Sequence, residues 1–463
     1  MELEITGLNL DGDGIATVEG RTVTVPCTIP GERVEARLVR GRDGTPFAEV
    51  VRIVSASPHR VTPKCRHFGP CGGCAWQHIA YPEQLRLKQR LLQALLPALD
   101  VRLTLPTPAE AGPAHGTTPP APWHYRDKVS FVFGPGGHGR GLAMGHYRRG
   151  SRSIVSVQEC PVHAEAGNRF AFALRDVLDR ARIPGAAPDG EDGIARHVVA
   201  RVSERSGELL GTLVVTENVK ALRRVTAEIQ KVIAPGDPGA SQPRAGFHLN
   251  IHDRPGSLLF GRETRRLFGL NELREQVAGA SYLVAPTAFF QTNVRAAEVL
   301  VREVLDALAE ARFSRVLDLY AGVGLFALPL ALQGRAVTAV EENRHAIASA
   351  QSALRLNRIP DAACRLIASR VEDAIARVTG GAWDAVILDP PRQGCPPPVL
   401  DWLLRDLRPP RIVYVSCNPE ALARDLSRVA GTGYRVDRIQ PVDMFPHTAH
   451  IETVAVLDGA YAS

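Results

Sequence analysis

The spacing of hydrophobic and polar positions changes character twice along the 463-residue chain. Over residues 1 to about 55 the two classes alternate in short runs, RTVTVP, ERVEARLV and AEVVRIV, broken by Asp-Gly and Pro-Gly pairs. Period-two alternation between such turns predicts the strands of a small β-barrel. A cysteine-bearing segment comes next, then a stretch with helical spacing, PEQLRLKQRLLQALLPAL. Beyond it, short strand-like runs such as VSFVF and LLGTLVVT lie between Pro- and Gly-rich connectors at 104–122, 134–141, 184–193 and 234–246, a mixture that predicts an α+β middle domain. From about residue 291 apolar strands and helices take turns: RVLDLYAGVG, AVTAVEEN, WDAVILDPPRQG and RIVYVSCNP, each followed by a helix, then a terminal strand pair. That rhythm predicts a doubly wound, Rossmann-like α/β domain. The expected units are 1–56, 57–285 and 286–463.

Composition agrees with this division. A chain of this length exceeds one ordinary core, and 45% hydrophobic with 22% charged residues is globular. The most apolar window, VLDLYAGVGLFALPLALQG, carries Asp318 and Pro329, so it reads as core rather than a membrane span. The start, MELEITGLNLDGDG, lacks the basic end and apolar run of an export signal, so a cytoplasmic protein with reduced thiols is expected. Charge is unevenly spread. Residues 61–160 hold twelve Lys/Arg against five acids, which favours a polyanion such as RNA or, equally, a solvated basic face. Residues 1–60 are slightly acidic, with seven Arg against nine acids, so charge does not make the barrel a nucleic-acid binder.

Candidate chemistry gathers at the ends of the C-terminal strands. VLDLYAGVGLF runs an apolar strand into a glycine turn that opens a helix. Glu341 ends the next strand, 23 residues after Asp318, where an acid can accept hydrogen bonds from ribose hydroxyls. The turn lacks a complete G-x-G-x-x-G because Ala327 stands at its last position, which leaves the cofactor open on this strand alone. Asp389 ends a further strand and is followed by two prolines that stiffen the loop, in the manner of adenosylmethionine-dependent methyltransferases. Cys417 follows the strand RIVYVS and, with Ser416, Asn418 and Pro419 around it, reads as a loop thiol facing the methyl donor rather than a core residue. Near the C-terminus His447, His450 and Glu452 precede another apolar strand. These parts suit one reaction: a thiolate adds to carbon 6 of uridine, carbon 5 becomes nucleophilic enough to take a sulfonium methyl, and a carboxylate then removes the carbon-5 proton. Cys417 and Glu452 are the candidates.

With these residues in place the chain resembles the RNA (uracil-5-)-methyltransferases that carry an N-terminal TRAM domain. The resemblance spans almost the whole chain and rests on FFQTN (289–293), DLYAGVG (318–324), LDPPRQG (388–394), VSCNP (415–419) and FPHTAHIE (445–452). It implies an OB-like TRAM barrel at the N-terminus, S-adenosylmethionine held by Gln291, Tyr320, Glu341 and Asp389, Cys417 as nucleophile and Glu452 as base. Where well-known members carry Asn after the second glycine, this chain has Leu325.

CRHFGPCGGC supplies Cys65, Cys71 and Cys74, and Cys160 in SVQECPVH completes four thiols, a set that suits either zinc or an iron–sulfur cluster. The resemblance implies that these four hold a [4Fe-4S] centre, with a structural or RNA-positioning rather than redox role. Lys64, Arg66, His67 and Trp76 lie beside them, and Trp76 either stacks on a base or packs on the cysteine loop. WHYRDKVSFVF (123–133) resembles the family's substrate-facing sheet, though a plain amphipathic strand fits it nearly as well. The expected partner is RNA, 23S ribosomal RNA ahead of tRNA, and the expected state a monomer. Two other readings are an amine-directed methyltransferase, which would need no cysteine and usually has an aromatic where Arg392 stands, and a non-catalytic iron–sulfur RNA-binding protein.

Overall fold

In the computed structural model, residues 1–40, 46–96, 122–136, 141–187, 192–233, 244–254, 258–310 and 312–460 are described; most of the 104–122 connector, and parts of the other three, lie outside them. Residues 2–55 form a curled six-stranded sheet, ordered Glu2–Glu4, Arg33–Arg40, Pro46–Ser55, Arg21–Val25, Gly14–Val18, Gly7–Leu8. Val25, Val34 and Ala48 pack inside it, as the alternating sequence requires. A buried acid ties the barrel to the segment at its C-terminal end: Glu32 is fully buried and accepts two hydrogen bonds of 2.6 Å from Arg60.

The middle unit is a seven-stranded sheet with the helices Glu165–Arg180 and Leu222–Ile233 on one face, where Phe170, Leu174, Val225 and Ile229 meet Phe131, Val198, Leu213 and Phe247. Its strand Lys128–Pro135 lies inside the sheet, and Val129, Phe131 and Phe133 are buried. Val129, Phe131 and Phe133 of VSFVF therefore belong to the core beneath the helix layer, while Lys128 and Ser130, on the opposite face, are only partly buried.

The C-terminal unit is the doubly wound sheet. We number its strands β1 (Arg315–Leu319), β2 (Ala336–Glu341), β3 (Cys364–Ala368), β4 (Ala385–Leu388), β5 (Arg411–Ser416), β6 (Tyr434–Val442) and β7 (Glu452–Gly459). They lie in the order β3-β2-β1-β4-β5-β7-β6, with β1 to β5 parallel and β7 antiparallel to both its neighbours. The inner parallel strands β1, β2, β4 and β5 are largely buried on both faces, which explains their continuous apolar runs, whereas the edge strand β3 exposes Arg365 and Ala368.

Two segments cross these divisions. The hairpin Leu273–Val277/Ala280–Val284 inserts Val277, Ala280, Tyr282 and Val284 into the same apolar cluster as β1 and the helix Val294–Ala307. The helix Tyr81–Leu95 inserts Leu92 into the cluster on the other face, beside Leu422 and Leu426 of the helix Pro419–Ser427. No helix among the described residues is long and apolar enough to cross a membrane.

Candidate active site and metal centre

Parallel strands of a doubly wound sheet deliver their carboxyl ends to one crevice. Tyr320, Glu341, Asp389 and Cys417 stand at or just beyond the ends of β1, β2, β4 and β5, and all four line a cavity of about 900 Å³ together with Gln291 and Glu452. The six residues singled out in the sequence thus share one pocket. His450, which the sequence placed beside Glu452, lines it as well, as do Phe289 and Arg392, which were given no role at this site. Phe289 is 74% exposed, an aromatic ring offered to solvent at the mouth beside Gln291.

The turn after β1 is built for close approach. Gly322 and Gly324 have φ of 56° and 85°, and Tyr320 itself is left-handed at 64°, an unusual state for a bulky side chain that functional sites tolerate. Glu341 stabilises this turn: one carboxylate oxygen accepts the Gly322 N–H at 2.9 Å and the other the Asn343 N–H at 2.7 Å. Each oxygen retains a lone pair for a hydroxyl. Leu325 is buried in the pocket wall, and its carbonyl, not its side chain, accepts a hydrogen bond from Tyr282 at 3.2 Å.

Cys417 and Glu452 come together through strand direction. The antiparallel pairing of β5 with β7 ends at Ser416 opposite Thr453, so Cys417 and Glu452, the next residue of each segment, lie at the same end of the ladder, line one cavity, and are close enough for the carboxylate to act on the thiol. Around them, Asn418 caps the helix Pro419–Ser427 by accepting the Glu420 N–H at 3.0 Å, and its amide donates to the Arg392 carbonyl at 2.9 Å, locking the thiol loop to the Asp-Pro-Pro loop. Asp425 supports the same loop from behind, accepting from Tyr414 at 2.6 Å and from the Cys395 N–H at 2.8 Å.

Electrostatics favours a cation in this pocket. Burial, then the charge of Glu341, pushes Asp389 up to about 7. Burial and Asp389 push Glu452 up to about 8, with Arg392 opposing, and burial with Glu452 and Asp389 pushes Cys417 up to about 11. Acids held this close lose their mutual penalty when a positive charge arrives.

Cys65, Cys71, Cys74 and Cys160 line a second, small cavity. Burial pushes all four thiols up, Cys160 to about 12. Arg126 lies against the same cavity and, among the described residues, has no carboxylate within ion-pair distance; its Nε donates to the Tyr125 hydroxyl at 3.3 Å. A half-buried guanidinium without a carboxylate partner favours an anion, and four thiolates around a metal centre would supply one. The donor set therefore fits a thiolate-ligated centre. Among the described residues, the donor atoms within 4.8 Å of one another are those of His146, Cys160 and His163, and the sequence alone does not point to the two histidines.

Much of the basic surplus around these cysteines is paired with acids of the same chain. Lys88 pairs with Asp443, Arg149 with Asp13, Arg86 and Arg90 with Glu83, and Arg66 with Glu159. Trp76 is fully buried and donates its indole N–H to the Gly12 carbonyl at 2.8 Å, so it packs between barrel and cysteine loop and does not stack on a base.

Comparison with known proteins bears on this arrangement. Residues 1–51 match the TRAM domain and residues 270–459 match the tRNA (Uracil-5-)-methyltransferase family. An uncharacterized RNA methyltransferase of Gloeobacter violaceus is 37% identical over 98% of this chain and 95% of its own length, and one of Thermosynechococcus vestitus is 36% identical over 99% and 97%. The crystal structure of Pyrococcus abyssi tRNA (uracil-54, C5)-methyltransferase in complex with S-adenosyl-L-homocysteine superposes with a TM-score of 0.75 and 28% identity over 99% of both chains. The strand order, the shared pocket and these likenesses together make the chain a TRAM-bearing member of the S-adenosylmethionine-dependent RNA (uracil-5-)-methyltransferase family.

Proposed function

We propose that the protein methylates carbon 5 of a specific uridine in RNA through a covalent bond from Cys417 to carbon 6. The observation that supports this reading is that Cys417 and Glu452, at one end of the antiparallel β5/β7 ladder, line the same cavity as Gln291, Tyr320, Glu341 and Asp389. Gln291, Tyr320, Glu341 and Asp389 hold S-adenosylmethionine, which supplies an electrophilic methyl group on a cationic sulfur. Cys417 forms the S–C6 bond, and the displaced π electrons make carbon 5 an enolate carbon. Carbon 5 takes the methyl group, and the C–S bond electrons stay on the cofactor's sulfur. Glu452 removes the carbon-5 proton, the C5=C6 bond re-forms and Cys417 leaves as thiolate. An amine-directed reaction or a purely binding role leaves this pair of groups without work.

Glu452 acts deprotonated and after methyl transfer, so steady-state turnover, kcat, should rise with pH from 7 towards 9, because burial holds its carboxyl near 8. A profile that falls above pH 7 would contradict the assignment.

Cys65, Cys71, Cys74 and Cys160 hold an iron–sulfur cluster of the [4Fe-4S] type in this reading. One zinc ion would draw four sulfurs to within about 4 Å of one another, whereas a multi-iron centre spaces its thiolates farther apart, one per iron. The grouping of donors around Cys160 does not include the other three sulfurs, which supports the larger centre. Anaerobically purified protein should show broad visible absorption and iron with acid-labile sulfide. Stoichiometric zinc without iron would overturn the assignment.

For the target, we favour large-subunit ribosomal RNA, because the full barrel and the cysteine segment together offer an extended frame for a folded RNA. The full-length likeness to an enzyme that acts on uridine 54 of tRNA favours tRNA as the second reading. Mapping 5-methyluridine in both RNA classes from cells with and without the gene decides between them.

A further inference from the structure

The loop that delivers Glu452, residues 443–451, is not held by its own domain alone. Lys88, fully buried on the helix Tyr81–Leu95, donates to the Asp443 carboxylate at 2.6 Å, to the His450 carbonyl at 2.8 Å and to the Phe445 carbonyl at 3.1 Å. Four residues earlier on that helix, the Gln84 amide oxygen accepts the His447 N–H at 2.9 Å, while its amide nitrogen donates to the His447 ring Nδ1 at 3.1 Å. The His447 carbonyl accepts the N–H groups of Ala75 at 2.9 Å and Trp76 at 3.0 Å, the two residues directly after Cys74. His447 itself is left-handed, with φ of 64°, a conformation that persists only where the surroundings impose it.

Resting on the uridine mechanism above, we propose that the segment leaving the cysteine loop, Ala75 to Leu95, is the device that positions Glu452, with Lys88 and Gln84 as positioning residues, so that occupancy of the metal centre is felt at the base. The path is short and covalently continuous at one end. Cys74 is one peptide bond from an N–H that grips His447, and His447 lies five residues before Glu452. A ligated Cys74 fixes that N–H pair; Gln84 and Lys88 then hold both sides of the loop. Glu452 touches neither residue, so they act through the loop and not on the substrate.

The proposal separates two steps of the reaction. Carbon–sulfur addition and methyl transfer need Cys417, which sits on the other strand, whereas release of the product needs Glu452. Two full-length variants test this: Gln84→Leu, and the double variant Lys88→Met/Asp443→Asn, in which neither buried charge is left alone. With cognate RNA, single-turnover methyl transfer should stay within about threefold of the parent protein. Resolution of the methylated RNA–protein adduct should slow at least about tenfold, a fraction of the 10²–10⁴ that a general base contributes. The adduct is read on denaturing gels. Equal loss of both steps, or adduct resolution at the parent rate, would overturn the proposal.

Should either variant fail to fold, amide exchange on the parent protein decides. Stripping the metal with a chelator should accelerate exchange at Ala75, Trp76 and His447 by tenfold or more while the central amides of β5 and β7 keep their protection. Unchanged exchange at those three amides would overturn the coupling. Failure of the mechanism itself is read separately: parent protein that forms no adduct with 5-fluorouridine RNA sinks the uridine reading, whereas a parent that forms one beside variants that behave like it sinks only the positioning role.

Discussion

Cys417→Ala protein should bind S-adenosylmethionine with the parent affinity yet transfer methyl groups to RNA at least about 10⁴-fold more slowly, the scale on which loss of a covalent nucleophile acts. The reason is electronic. Carbon 5 of a uracil ring is a weak nucleophile until the neighbouring carbon carries a sulfur, and no other thiol lines the cavity among the described residues. Cofactor binding is expected to survive because Gln291, Tyr320, Glu341 and Asp389 stand on other elements. Calorimetric titration with the cofactor and incorporation of labelled methyl groups measure the two halves. Activity in the alanine variant within tenfold of the parent would exclude covalent catalysis by this residue.

Glu452→Gln should fail later in the cycle. Gln keeps the volume and the buried polar atoms of the side chain but cannot take a proton. The first methyl transfer should therefore proceed, with steady-state turnover lowered by about 10²–10⁴-fold and methylated RNA retained on Cys417. The raised carboxyl, near 8, makes the same point from the other side, because burial and Asp389 make it a stronger proton acceptor than an ordinary carboxylate. Mass spectrometry of the adduct should find the methyl group already on the ring. An adduct without the methyl group would place the defect before transfer and remove Glu452 from the role of base.

The C-terminal unit was readable because its signals are local. Parallel strands buried on both faces appear as unbroken apolar runs, and each reactive residue lies within a residue or two of the end of such a run. The pairing of Cys417 with Glu452 was readable only as two separate candidates. Nothing in either segment states that β7 slots between β5 and β6, and it is this placement that sets the two side by side. Long-range partnerships stayed hidden for the same reason. Lys88 sits in a stretch, RLKQRLL, whose other basic residues face solvent, and helical period alone does not tell a lysine that meets Asp443, 355 positions away, from one that meets water. For Trp76 the sequence left base stacking and packing on the cysteine loop both open, and Gly12, whose added Cβ would lie 2.5 Å from the indole nitrogen, shows the packing. His146 comes from a segment with no metal-type spacing to Cys160, whereas His163 follows it in CPVH at C-x-x-H spacing.

The reversed course of β7 has a consequence for the newborn chain. Ribosomes release the barrel, the cysteine loop and the first five strands of the C-terminal sheet long before residue 452 leaves the exit tunnel, and domains consolidate in that order during synthesis. In the proposed mechanism the nucleophile would thus emerge before the base, and insertion of β7 between β5 and β6 is the event that completes the pair.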